Sequence, residues 1–104
     1  MNKYTELSDF EINRRIAEMN TKNRYVYFEK EQTIFRKFNN GQTQKFNPCN
    51  YPTDAMPIII ENGISMVRVN NAWSARQFNN HCIEINGDNY YRIAMEVYLL
   101  MNGK

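Results

Sequence analysis

A chain of 104 residues, 42% apolar and 13% aromatic, is one small domain with enough apolar side chains for a single modest core. Charged residues are 23%, near the globular norm of about 25%, which excludes a disordered chain. The 13 basic and 11 acidic residues nearly cancel, and an isoelectric point of about 8.6 falls short of the value above about 9 usual for a dedicated nucleic-acid binder.

The first element is "LSDFEINRRIAEMN". Ser8 and Glu11 form a capping box, and Leu7 is placed to staple onto Ile12. Ile12, Ile16 and Met19 share a face at helical spacing, and Glu11 can pair with Arg15 on the outside. This predicts a helix over Asp9–Met19. The aromatic and β-branched runs "RYVYFEK" and "TIFRKF" flank Glu29-Lys30-Glu31-Gln32 and predict a hairpin, after which "NNGQTQ" reads as a polar loop. Phe35 and Phe38 are expected to face the core.

"FNPCNYPTDAMPIIIENGISM", from Phe46 to Met66, predicts a lead-in loop and a short helix over Ala55–Asn62. Asp54 suits its N-cap, Pro57 would then fall at the third helical position, and Asn62-Gly63 ends it. "ISMVRV" and "AWSARQF" alternate with period two around a tight turn and predict a second hairpin, which "CIEI" could extend by a short third strand. Asp88 or Asn89 caps the last helix, "YYRIAMEVYLLMN", whose apolar face holds Tyr91, Ala94, Met95, Tyr98 and Leu99. All four glycines follow an asparagine and serve as punctuation. The expected fold is α+β: one domain over residues 1–104, a small antiparallel sheet from two hairpins packed with three helices, in the order helix-hairpin-helix-hairpin-helix.

Chemistry-bearing residues are few. Asp54 reads first as a cap, since a catalytic carboxylate needs a partner acid, base or metal. Cys49 reads first as a small buried apolar residue. A Cys49–His81 nucleophile pair and a metal set of Cys49, His81, Cys82 and Glu84 are the chemical alternatives, but the spacing of the latter is irregular for zinc. No metal and no cofactor is expected. If the central stretch binds something, the candidates are Asn47, Cys49, Asn50 and Asp54 ahead of the helix, with Trp73 beyond it. A nucleic-acid surface would draw on Arg36, Lys37, Arg68 and Arg76 beside Tyr25 and Tyr27. Lys3, Glu6, Asp9 and Glu11 interrupt any signal-peptide core, and no apolar run is long enough to span a bilayer. A cytoplasmic protein with free thiols is expected, with no membrane partner.

Phe46, Pro48-Cys49, Asp54-Ala55, Pro57-Ile58-Ile59, Asn62 and Ile64-Ser65 resemble the central motif of the phage NinX-like family, small proteins of lambdoid phages and prophages described as a domain of unknown function. "LSDFEIN", Trp73 with Ala75, and Arg92 with Ala94 and Met95 resemble its flanking motifs. Residues from about 21 to 45 match none of it. Met56 stands where the family often has Trp, Tyr90 and Tyr91 where it often has Pro-Leu, and Ile93 replaces an alanine. The resemblance implies a phage or prophage accessory protein in a bacterial host cell. With no catalytic constellation in view, a non-enzymatic module binding an unknown host or phage protein, with a homodimer open to it, is the first expectation. A nucleic-acid-associated protein is second and a small Cys/His enzyme third.

Overall fold

The computed structural model describes residues 3–79 and 82–103. Helix α1, Asp9–Met19, begins at the expected capping box: Glu11 N–H donates to Ser8 Oγ at 3.1 Å, and the Glu11 carboxylate accepts from Ser8 N–H at 3.3 Å. Glu11 is thereby turned toward Ser8, and Arg15 instead lies 5.7 Å over the Tyr4 ring.

Strands β1 (Arg24–Phe28), β2 (Thr33–Lys37) and β3 (Thr43–Lys45) form one antiparallel sheet in the order β1-β2-β3. Strands β4 (Ser65–Val69), β5 (Ala72–Gln77) and β6 (Ile83–Gly87) form a second. The α+β class and the element order are as expected, but the single sheet is replaced by two three-stranded ones. The third strand that "CIEI" offered the second hairpin is β6, and the first hairpin gained one as well: "NNGQTQ" turns back at Gly41, whose φ of 88° an L side chain resists, and re-enters as β3. A two-stranded ribbon is marginal, and a third strand gives each pair a covered flank.

Helix α2 spans Pro52–Glu61, three residues earlier than expected. Its N-cap is Tyr51, without a side-chain cap, and Asp54 is the third helical residue. Pro52 explains the shift, because proline at the first helical position forfeits only a hydrogen bond that is unmade anyway. Pro57 then falls in the helix interior. Helix α3, Tyr90–Met101, is capped by Asn89, whose Oδ1 accepts from Arg92 N–H at 3.1 Å.

Sheet 1 packs on α1, α1 on α3, and α3 on both α2 and strands β5 and β6. This stacking draws the molecule out to 43 × 26 × 22 Å. The core gathers Ile12 and Ile16 of α1, Ala55 and Ile59 of α2, Ala75 and Ile85 of sheet 2, and Ala94, Met95, Val97 and Leu99 of α3. Three Asn-Gly pairs punctuate as expected, with positive φ at Gly41, Gly63 and Gly103. Gly87 does not. It ends β6 where a Cβ would lie 2.8 Å from Ile93 Cγ2, so there the missing side chain lets α3 approach.

Candidate functional site

The lead-in to α2 is a polar knot. Asn47 N–H donates to Asp54 Oδ2 at 2.9 Å, and Asn47 Oδ1 accepts from Asn13 at 2.7 Å and Asn50 at 3.0 Å. Asn13 Oδ1 in turn accepts from Cys49 N–H at 3.1 Å. The N–H groups of Asn50 and Tyr51 both turn back to the Asn47 carbonyl. Buried polar groups demand partners, and here the amides of Asn13, Asn47 and Asn50 supply them reciprocally. Of the five central-stretch candidates, Asn47, Cys49, Asn50 and Asp54 are brought together, each with an internal partner. Trp73 lies elsewhere, on β5, edge-to-face with Tyr90 at 4.8 Å and under Arg68.

The Cys49 thiol is fully buried, and burial followed by the nearby Asp9 carboxylate pushes it far above the ordinary thiol range. A thiol held protonated is a poor nucleophile. Cys82 is exposed and free. His81, the partner considered for Cys49, lies outside the described residues. Among the described residues, no three His, Cys, Asp or Glu side chains converge as a metal would require.

Continuous with the knot is a second cluster that sequence reasoning passed over. The Arg92 guanidinium, with its side chain 14% exposed, donates to Glu96 at 2.7 Å and Asp9 at 2.6 Å, and to the carbonyls of Tyr4 at 2.9 Å and Leu7 at 2.7 Å. Asp9 also accepts from Asn50 at 3.0 Å. One planar fork thus ties the N-terminal turn to the last helix and to the α2 lead-in. The i,i+4 spacing of Arg92 and Glu96, and Asn13 between two buried isoleucines, were the available signals.

A cleft of about 220 Å³ opens between Tyr25 and Arg36 of sheet 1, Phe46 of the loop after β3, Asp54 and Glu61 of α2, and Tyr98 of α3. Burial raises the Asp54 carboxyl, against the pull of Asn47 N–H and Arg36. Asp54 and Arg36, candidates from two different readings, therefore meet at one cleft.

The basic candidates divide. In sheet 1, Tyr25, Tyr27, Ile34 and Arg36 share the face toward α1, where Ile34 is buried and Arg14 lies 5.2 Å over Tyr27. Arg36 donates to Asn23 at 2.9 Å on that side. The opposite face carries Arg24, Val26, Phe28, Phe35, Lys37 and Lys45. The expectation that Phe35 faces the core is thus overturned: Phe35 pairs with Val26 and meets Phe28 edge-to-face at 5.7 Å on the outside. Ile34 took the inward place, and a period of two sends its neighbour out. Phe28 is 43% and Val26 38% exposed. In sheet 2, Arg68 pairs with Trp73 on the core-facing side, whereas Arg76 pairs with Glu84 on the other. No single face carries all four basic candidates.

A family model described as "Bacteriophage P22, NinX" matches residues 3–102, and the chain belongs to that family. No curated protein and no solved structure matches it.

Proposed function

We propose that this NinX-family chain is a non-enzymatic accessory protein of a phage or prophage, acting in the host cytoplasm by holding a macromolecular partner against the outer face of sheet 1. The observation that carries this reading is the exposure of Val26 and Phe28 beside the half-buried Phe35 on one face of sheet 1, whose other face is turned toward α1. Scattered exposed apolar residues are ordinary, but a contiguous set on a flat sheet marks a contact surface. Support also comes from the groups that chemistry would use. The Cys49 thiol is buried and protonated, and the carboxylates of Asp9 and Glu96 are tied to Arg92.

The test is capture from a lysate of cells carrying the phage, with the wild-type chain and the double variant F28S/F35S immobilised side by side. The variant should stay folded, with a Tm lowered by no more than about 8 °C, because Phe28 is exposed and Phe35 is only half-buried on the outer face. A component retained by the wild type and lost by the variant is the expected result. Equal retention by both, or nothing retained by either, refutes the reading.

A further inference from the structure

We infer that the outer face of sheet 1 binds single-stranded nucleic acid, laying bases on Phe28 and Phe35 while Arg24, Lys37 and Lys45 meet the phosphates. This rests on the contact reading above and names the partner of that same face. The three strands carry four positive side chains and no negative one, although the whole chain is only +2. The rest of the molecule is therefore net negative, and the near-balance of the chain conceals a basic sheet.

The placement of those charges follows from register. Arg24 pairs with Lys37, Val26 with Phe35, Phe35 with Lys45, and Phe28 with Thr33. Paired residues share a face, so three cations and two rings stand on one surface, and the fourth cation, Arg36, is held on the other by Asn23. The cations lie at one end and along the β3 side. The turn beyond Phe28 holds Glu29, drawn away to Arg14, and Glu31. Three strands about 10 Å across and five residues about 16 Å long give room for two or three nucleotides.

The chemistry selects among polymers. Rings set among cations suit a strand whose bases are free to stack, and a duplex hides the faces of its bases. A protein partner fits less well, because lysine is depleted at the centre of protein interfaces, whereas Lys37 here lines the same shallow depression as Val26, Phe28 and Phe35. The two rings stand at 87°, so a base laid flat on one meets the edge of the other.

Fluorescence anisotropy with labelled oligothymidine and oligouridine of about ten nucleotides, and with a DNA duplex of equal length, tests this. Single strands should bind more tightly than the duplex. Three phosphate contacts at about 0.7 each give a slope of log affinity against log salt near −2, or about a 16-fold loss from 50 to 200 mM. F28A and F35A should each weaken binding roughly 5- to 150-fold. R24Q, K37Q and K45Q should each flatten the slope by about 0.7, while R68Q and R76Q leave it unchanged. Equal affinity for duplex, indifference to both phenylalanine variants, or a slope that responds as much to Arg68 and Arg76 overturns the inference. If no strand binds but F28S/F35S still loses its captured component, the face is a contact surface for a protein or a second copy, and only the nucleic-acid assignment falls. If the captured component is also unaffected, both fall.

Discussion

Arg92 shows how much one residue can organise. Its guanidinium satisfies two carboxylates and two main-chain carbonyls, and its side chain is largely removed from water. Removing the guanidinium takes the counter-charge from the buried Glu96 carboxylate, at a cost of about 3–5 kcal/mol, whereas Asp9, 41% exposed, can turn to water. R92A should lose that much in urea unfolding. R92K should recover less than half, since one ammonium cannot span four acceptors set around a planar fork. An R92A protein within about 1 kcal/mol of wild type would show the cluster to be dispensable. Cys49 supplies a pH signature. In the unfolded chain its thiol ionises near the ordinary value of about 8.5, while the fold keeps it protonated. The unfolded state then sheds a proton that the folded state retains, so stability present below about pH 8.5 is lost above it at about 1.4 kcal/mol per pH unit. The stability advantage of wild type over C49A should shrink with that slope between about pH 8.5 and 10. A difference that stays flat would place the thiol in contact with water.

At the scale of elements, local signals located most helices and strands. The capping box of α1, the Asn89 cap of α3 and the alternation of β4 and β5 all rest on contacts within four residues or between adjacent strands, which spacing encodes directly. The start of α2 was misplaced because two signals competed. Asp54 is a preferred cap, but Pro52 fits the first helical position, and the Asp54 carboxylate serves the Asn47 N–H instead. Pro57 is consequently an interior proline that gives no hydrogen bond to the Thr53 carbonyl. An interior proline costs about 3 kcal/mol against alanine, and part of this is offset by its stiffening of the unfolded chain. P57A should therefore raise the unfolding free energy by about 1–2 kcal/mol. A destabilised P57A would mean that the ring's packing outweighs its backbone cost.

Across the whole molecule, the two sheets are held unequally. Among the thirteen residues of β1, β2 and β3 only Ile34 is buried, whereas β5 alone buries Ser74, Ala75 and Gln77 and lies against α3. Regions with few buried contacts open at lower free energy than the core. Amide exchange should therefore be faster in sheet 1 than in β5 and α3, and uniform protection across both sheets would contradict this. The same sparseness leaves one face of sheet 1 uncovered, which is what the proposed function draws on. The sequence by itself determined the order of helices and hairpins (though not β3), the family resemblance and the absence of a regular metal-ligand spacing, because each depends on residues close together along the chain. Beyond the local Arg92–Glu96 spacing, it did not disclose the Asn13–Asn47–Cys49 knot or the Arg92 fork, since their remaining ties join residues 34 to 88 apart. It also left open which way Phe35 points. A strand's period fixes that neighbours face opposite sides, but only packing against α1 decides which side is inward, and Ile34 took it.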